Sequence, residues 1–264
     1  MCTILALHRV RDDAPLVIAA NRDEFYARAA TGPHELEAGI FGGRDEQAKG
    51  TWLGVTPSGL VVAVTNQRTY APPDPTRHSR GELVLEALRS GSVEAIDRLL
   101  QSLDARRYNA FNLFYGDARA LHVAYARDEP RITIEAFEPG VVVLANDRVG
   151  APEYPKTRRA EELVAPLLSA PLPELRAGLP RVLADHQRPP LQDIPEPPEN
   201  PRFTRELLRE LQALCIHTPV YGTRSASIVM VGDGEVLSYE HADGSPCTTP
   251  FVDFTSLVRE HRPV

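Results

Sequence analysis

The residue best equipped for chemistry in this chain is Cys2, which directly follows the initiator Met1. A cysteine in the second position is small enough for a methionine aminopeptidase to expose it. Once Met1 is removed, one residue carries both a thiol and a free α-amine. This pairing of nucleophile and base is the minimal equipment of an N-terminal-nucleophile amidase. If Met1 is retained, Cys2 is only a small residue at the start of a strand.

Four polar residues, Asn21-Arg22-Asp23-Glu24, directly follow the apolar run 16–20. Turn residues separate this run from the β-rich segment 2–10, which predicts a hairpin that places Arg22 and Asp23 beside Cys2. A neighbouring arginine lowers the pKa of a thiol by stabilising the thiolate, and an aspartate can orient the N-terminal ammonium. The plain alternative for such a polar cluster is a solvated turn.

Other polar residues stand at the ends of predicted strands. Asn66 follows the apolar strand 60–65 and Asn146 follows the strand 141–144, so either side-chain amide could donate to a developing oxyanion. Asparagine in such a position is more often a turn former. Arg224 precedes another apolar strand, where it forms either a salt bridge at the rim or a charge clamp on a thiolate or substrate carboxylate.

The predicted elements come in groups rather than in strict alternation. This grouping favours antiparallel sheets with segregated helices, so we predict an α+β fold of four αββα layers, with two sheets face to face and helices outside each. Strands are predicted over 2–10, 16–20, 52–55, 60–65, 110–115, 121–127, 132–137, 141–144, 225–231, 236–241 and 248–254. Helices are predicted over 82–89, after a cap at Ser92, and over 157–168, 172–183 and 203–213.

Residues 1–264 are expected to form a single domain, because no internal repeat or linker divides the sequence. Gly42-Gly43 is predicted to open a loop. The Pro-rich segment 188–201 is too long for an ordinary connection and predicts an extended loop or lid.

Composition excludes several functional classes. The net charge is −7 and no arginine stripe interleaves with aromatic residues, so nucleic-acid binding has no electrostatic support. No apolar segment is long enough for a transmembrane helix, and the N-terminus lacks the pattern of a secretory signal. The expected location is a reducing cytoplasm, and the oligomeric state stays open.

No metal site is predicted, because the histidines have no ligand spacing and the cysteines are not closely spaced. The three cysteines do not form a disulfide framework, and Cys215 and Cys247 are interpreted as buried small hydrophobes. Trp52, the only tryptophan, is assigned mainly to packing.

Several motifs in this sequence resemble the NRDE proteins, also called the transport and Golgi organisation protein 2 family. The resemblance spans nearly the whole chain and implies the αββα fold of N-terminal-nucleophile hydrolases. It also leads us to assign binding roles to Asn21, Glu24, Trp52 and Arg80. The motifs are Met1-Cys2-Thr3, Asn21-Arg22-Asp23-Glu24, Gly50-Thr51-Trp52-Leu53-Gly54, Thr65-Asn66, Ser79-Arg80-Gly81, Asn109-Ala110-Phe111-Asn112-Leu113, Ala145-Asn146 and Tyr221-Gly222-Thr223-Arg224-Ser225.

More distantly, the layout is similar to the Cys-type acylases that act on penicillin V and conjugated bile salts. In those enzymes Arg and Asp are separated, whereas Arg22 and Asp23 are adjacent here. Adjacent residues of a strand point to opposite faces, so both reach Cys2 only if the strand ends or bulges there. The resemblance implies the catalytic set Cys2, Arg22, Asp23, Asn66, Asn146 and Arg224.

Two functional hypotheses follow. In the first, the protein is an amidohydrolase that uses Cys2 to cleave a non-peptide C–N amide bond after removal of Met1, without a cofactor. In the second, the same scaffold is a non-catalytic carrier, since the family resemblance also implies haem trafficking and the handling of lipid or acyl-CoA. Under this alternative, haem is a ligand gripped by the thiolate or by Arg22 and Arg224.

Overall fold

Two mainly antiparallel sheets lie face to face with helices outside each, in a computed structural model that describes residues 2–197 and 203–260. The first sheet has the strand order β10-β1-β2-β11-β12-β13, and the second runs from β3 to β9 in sequence order. The predicted α+β class and its four-layer arrangement are confirmed. The strands are β1 (Cys2–His8), β2 (Leu16–Phe25), β3 (Ala30–Glu37), β4 (Ile40–Asp45), β5 (Leu53–Val55), β6 (Val61–Asn66), β7 (Phe111–Gly116), β8 (Leu121–Ala126), β9 (Thr133–Ala136), β10 (Gly140–Leu144), β11 (Tyr221–Gly232), β12 (Glu235–Ala242) and β13 (Val252–Asp253).

The outer layers consist of helices that cover one sheet each. Helices α1 and α2 pack on the second sheet, and α3 and α4 pack on the first. No helix among residues 2–197 and 203–260 is both long enough and apolar enough to cross a membrane. The helices are α1 (Arg80–Arg89), α2 (Val93–Ser102), α3 (Pro155–Val164), α4 (Leu172–Leu183), α5 (Arg205–Glu210) and α6 (Thr255–Arg259), with short 3₁₀ helices at Ala105–Arg107, Ala165–Leu167 and Leu191–Asp193.

The hairpin of β1 and β2 is apolar on both faces because it lies between two layers. Ile4 and Ile18 belong to the core between the sheets, whereas Leu5 and Val17 belong to the core beneath α3 and α4. Alternation with a period of two therefore gives each residue of the hairpin a fixed face. Cys2 is the first residue of β1 and, two residues before Ile4, points to the same face of the sheet as Ile4.

The second sheet contains two features that the sequence did not predict. Strand β3 was not predicted, and Gly42-Gly43 lies within β4 rather than in a loop. A Cβ atom on Gly43 would come within 2.4 Å of the Trp52 ring, so the glycine is there to make room for the indole. The expectation of a loop was wrong because a close approach, and not a turn, requires the glycine.

Two predicted elements near the C-terminal end of the sequence are shorter in the structure. The strand predicted over 248–254 is reduced to β13, because 245–249 forms a turn in which the N–H groups of Thr248 and Thr249 donate to the Ser245 carbonyl. Likewise, the helix predicted over 203–213 contracts to α5.

The described part of the Pro-rich segment, residues 188–197, packs against α5. Arg205 donates to the carbonyls of Ile194 and Gln192, and Arg209 donates to that of Pro189. Residues 188–197 do not line the cavity of about 460 Å³ that contains Cys2. Positions 198–201 of the predicted loop or lid lie outside the described residues.

Candidate active site

Cys2 lies directly opposite Arg22 in the antiparallel ladder of β1 and β2. The residue is partly exposed and lines a cavity of about 460 Å³. Ligand pockets typically enclose about 300–1,000 Å³, so this space suits a small organic molecule. Burial raises the pKa of the Cys2 thiol and the charge of Asp23 adds to this, while the backbone N–H of Asp23 and the Arg22 guanidinium lower it.

Arg22 extends into the space between the two sheets. Its guanidinium lies 4.3 Å from the centre of the Trp52 ring and 3.5 Å from the Asp45 carboxylate. Arg28 also binds Asp45, at 2.7 Å. The indole and the carboxylate therefore hold Arg22 on the face of the sheet that carries the Cys2 side chain.

Asp23 is buried on the opposite face of β2. Thr223 Oγ1 donates to Asp23 Oδ1 at 2.6 Å, and Tyr221 Oη donates to the Asp23 carbonyl at 2.8 Å. The register between β2 and β11 shifts between Thr223 and Ser225, so the bulge lies in β11 rather than in β2. Burial raises the pKa of the Asp23 carboxyl, while Lys156 and Thr223 lower it.

Lys156 is a residue of this site that sequence reasoning missed. It lies in the first turn of α3 and is 1% exposed, and its ammonium has no hydrogen-bond partner among the residues that the structure describes. Burial lowers the pKa of Lys156, whereas the nearby Asp23 and Cys2 raise it. The composition of the sequence could have singled out this residue, because Lys156 and Lys49 are the only lysines in an arginine-rich chain.

Asn66 and Asn146 come together, but they are oriented differently. Asn66 ends β6, is exposed and lines the cavity with Cys2. Asn146 is buried, and its amide donates to the Asn66 carbonyl at 2.7 Å. The amide hydrogen bond of Asn146 therefore positions the Asn66 backbone.

Of the remaining predicted residues, some line the cavity and the others form hydrogen bonds or ion pairs elsewhere in the fold. Arg80 and Glu24 line the cavity, and Arg80 donates to the Ala110 carbonyl at 3.2 Å. Asn21 is buried, and its amide donates to the carbonyls of Leu183 and Leu214, so it ties β2 to the outer layer. Arg224 lies at the bulge of β11, pairs with Asp243 at 3.3 Å and does not line the cavity that contains Cys2.

Comparison with known proteins identifies the family. The family model described as Transport and Golgi organisation 2 matches residues 1–242. The chain belongs to this family. The human Transport and Golgi organization protein 2 homolog is 31% identical over 253 residues, which cover 86% of each chain. The bovine homolog is 30% identical over 246 residues and likewise covers 86% of each chain.

Comparison with solved structures places this chain in the N-terminal-nucleophile hydrolase fold. A penicillin V acylase from Agrobacterium tumefaciens matches with a TM-score of 0.58 and 13% identity, over 98% of this chain and 89% of that one. The C2A mutant of a conjugated bile acid hydrolase from Clostridium perfringens matches with a TM-score of 0.54 and 12% identity, over 98% and 94%. At these identities the likeness shows the fold alone.

The buried Asn112 ties the ends of β6 and β10 together. Its amide donates to Thr65 Oγ1 at 3.0 Å and to the Asp147 carbonyl at 3.1 Å. Thr65 Oγ1 donates in turn to the Ala145 carbonyl at 2.7 Å. This network keeps Asn66 and Asn146 adjacent, which gives the motif around Asn112 a physical role.

A group of potential metal ligands lies apart from Cys2, although no metal site was predicted. The ligand atoms of His186, Cys215, His217 and Cys247 all lie within 4.8 Å of one another. Cys215 is buried as expected, but Cys247 is exposed, so its interpretation as a buried hydrophobe was wrong. Spacing along the sequence gave no signal, because the four residues come from three separate segments.

Proposed function

We propose that this protein is a Cys-type N-terminal-nucleophile amidohydrolase that cleaves a non-peptide C–N amide bond after Met1 has been removed. The observation that carries this proposal is the distribution of charges around Cys2. Arg22 lies on the thiol face of the sheet, and Asp23 and Lys156, whose charges also act on Cys2, are buried on the other face. Once Met1 is removed, a separate charged partner is thus available for the thiol and for the α-amine of Cys2.

In the proposed first half-reaction, the α-amine of Cys2 takes the thiol proton and Sγ attacks the carbonyl carbon of the amide. The carbonyl electrons move to oxygen, and a donor such as the Asn66 side chain stabilises the oxyanion. Collapse of this intermediate breaks the C–N bond, and the α-ammonium returns its proton to the leaving amine. The products are a free amine and a thioester on Cys2.

In the second half-reaction, the α-amine takes a proton from water as the water oxygen attacks the thioester. The C–S bond breaks, the carboxylic acid leaves and the sulfur regains its proton. Asp23 orients the ammonium, and Arg22 stabilises the thiolate. Every proton transfer uses groups of the chain and water, so the cycle needs no cofactor.

The cavity suggests a substrate that carries an anionic group. Arg80 lines the cavity with Cys2, and among the described residues no carboxylate lies within ion-pairing distance of its guanidinium. Burial lowers the pKa of Arg80, with Arg28 adding to the effect, whereas Cys2 and Glu24 raise it. A bound carboxylate, sulfonate or phosphate would offset the desolvation of this charge.

The same observation supports a second candidate function. An arginine-lined cavity can hold the acidic groups of haem or acyl-CoA without turning the ligand over, and the relatives bear names that refer to transport. The fold is compatible with either function, because chemistry resides in the site and not in the scaffold.

The deciding experiment compares two forms of the protein that differ by one residue. One form begins at Cys2, and the other is released from a fusion with a single extra glycine before Cys2, which keeps the thiol but removes its α-amine. Both are incubated with acyl amides that carry an acidic group, and acylation is mapped by peptide mass spectrometry. We expect acyl transfer to Cys2 and turnover only in the first form, and none in Cys2→Ala.

Intact mass of the protein purified from cells shows whether Met1 is removed. Active protein that retains Met1 would overturn the amidase proposal. Haem and acyl-CoA are titrated in parallel against wild type and Cys2→Ala. Equal binding at about micromolar Kd in both, without amide turnover, would favour the carrier function.

A further inference from the structure

Two cysteines and two histidines from three loops lie close together, outside the cavity that contains Cys2. His186 follows α4, Cys215 and His217 precede β11, and Cys247 lies in the turn after β12. Two thiols and two imidazoles are the donor set of many structural zinc sites. Neither the family match nor the proposed amidase chemistry uses these side chains.

The distances between the donor atoms fit a tetrahedral ion. Zn–S bonds of about 2.3 Å and Zn–N bonds of about 2.0 Å imply S···S separations of about 3.8 Å and S···N separations of about 3.5 Å. Cys215 Sγ lies 3.7 Å from Cys247 Sγ and 3.6 Å from His217 Nε2. His217 Nε2 lies 3.2 Å from Cys247 Sγ. These three atoms therefore already stand at about the edge lengths of a zinc tetrahedron.

His186 completes the group of donors, and one of its ring nitrogens makes a hydrogen bond of its own. Its Nδ1 lies 3.0 Å from the Cys215 carbonyl, which can only accept, so Nδ1 carries the proton. Nε2 is then left with a free lone pair. Metal-bound histidines commonly donate their other ring N–H to a backbone carbonyl in this way.

The segment before β11 and the turn after β12 are held together by contacts that do not involve the four donor side chains, and the N–H of Cys215 donates to the Asp185 carbonyl beside His186. Ile216 exchanges two hydrogen bonds with Thr223, from its N–H to Oγ1 and from the Thr223 N–H to its carbonyl. Ser245 Oγ donates to the Thr223 carbonyl at 2.8 Å, which fixes the turn that carries Cys247. Cys215 and His217 flank Ile216 and share a face of this extended segment. The scaffold thus presents the donors before an ion arrives.

We propose that His186, Cys215, His217 and Cys247 bind one Zn²⁺ ion as a closed, four-coordinate structural site. The ion would join the end of α4, the segment before β11 and the turn after β12. Thr223 connects these loops to Asp23, since its Oγ1 donates to the Asp23 carboxylate. Zinc would therefore stabilise the outer side of the Cys2 site without taking part in chemistry there.

The test is metal analysis of the full chain, purified without chelators from cells grown with zinc. We expect close to one zinc per chain in wild type and Cys2→Ala, and a severe loss in His217→Ala and Cys247→Ser. A strong chelator should lower the melting temperature of wild type but leave those two variants unchanged. Circular dichroism verifies that the variants fold.

Cobalt substitution tests the site in wild type itself, in case a variant fails to fold. Co²⁺ in this site should give the intense visible bands of a tetrahedral ion and a sulfur-to-cobalt charge-transfer band, both displaced by Zn²⁺. Absence of stoichiometric zinc together with absence of these bands would overturn the proposal. A Cys215–Cys247 disulfide in protein isolated under non-oxidising conditions would also overturn it. None of these readouts depends on amidase activity.

Discussion

Arg22 and Asp23 are consecutive residues of β2, and their side chains lie on opposite faces of the first sheet. Arg22 stacks on Trp52, 4.3 Å from the ring centre, in the space between the sheets. Asp23 accepts a hydrogen bond from Thr223 on the helical side, where Lys156 is also buried. Because neighbouring residues of a strand alternate, one dipeptide can bring a cation to the thiol and a carboxylate to the amine of the same terminal residue.

Replacing Arg22 should slow the reaction of Cys2 with an alkylating reagent. Arg22 lowers the pKa of the thiol, so Arg22→Met reduces the thiolate fraction near pH 8. We expect a decrease of about tenfold, which corresponds to a shift of one pKa unit. The measurement is the rate of iodoacetamide labelling at Cys2 as a function of pH.

Arg28→Met is the matched control for this prediction. It removes an ion pair to the same Asp45 carboxylate, but Arg28 acts on the Cys2 thiol less strongly than Arg22 does. An equal slowing in both variants would mean that loss of the Asp45 pair, and not of the charge at the thiol, is responsible.

Replacing Asp23 should separate thiol reactivity from amide turnover. Asp23→Asn preserves an oxygen for the Thr223 hydrogen bond but removes the charge that raises the pKa of Cys2. Alkylation of the thiol should therefore become faster. Amide turnover should fall by about 10²-fold or more, as expected when a proton-transfer group loses its orientation.

Asp13→Asn, in the turn between β1 and β2, serves as the control for Asp23→Asn. It removes a carboxylate paired with Arg11 and leaves the Cys2 end of the hairpin unchanged. If alkylation and turnover fall together in Asp23→Asn, damage to the fold rather than loss of a charge explains the result.

Removing the buried cation of Lys156 should shift the pH dependence of turnover. Lys156 lowers the pKa of Asp23, so Lys156→Met allows Asp23 to take up a proton at a higher pH. Loss of activity on acidification should consequently begin at a higher pH than in wild type. The pH–rate profile of kcat/KM records this shift, because it reports the ionisations of the free enzyme.

The only other lysine, Lys49, provides the comparison. Its side chain is 69% exposed and pairs with Glu46 on the surface. Lys49→Met should therefore leave unchanged the pH at which activity is lost on acidification. Rescue of the wild-type profile by Lys156→Arg would show that charge is the relevant property. An unchanged profile in Lys156→Met would assign the lysine to packing.

Adding a methyl group at Gly50 should destabilise the wall of the cavity. A Cβ there would lie 2.3 Å from the Gly81 carbonyl carbon and 2.6 Å from the Glu82 nitrogen, where α1 begins. Backbone atoms cannot move aside as a side-chain tip can, so Gly50→Ala should cost about 1–3 kcal/mol of unfolding free energy in urea. At Gly140 the nearest atom is 4.0 Å away, and Gly140→Ala should change stability by less than about 0.5 kcal/mol. Similar losses in both variants would contradict the close-contact explanation.

The sequence by itself determined the hairpin of β1 and β2, the layer order and the face of each hairpin residue. These follow from alternation with a period of two and from turn chemistry, which are local properties of the chain. The position of Arg22 and Asp23 beside Cys2 could be predicted for the same reason, whereas the register that pairs Cys2 with Arg22 came from the structure. Gly42-Gly43 was misread as a loop, because the Trp52 ring that requires Gly43 comes from a neighbouring segment.

Only the tertiary structure decided which distant residues meet. Lys156 reaches the site because α3 packs on the first sheet, and Asn112 joins strand ends that are far apart in sequence. The four donors His186, Cys215, His217 and Cys247 converge because three loops pack together. Such contacts depend on how layers dock across the core, and no periodicity in the chain encodes that geometry.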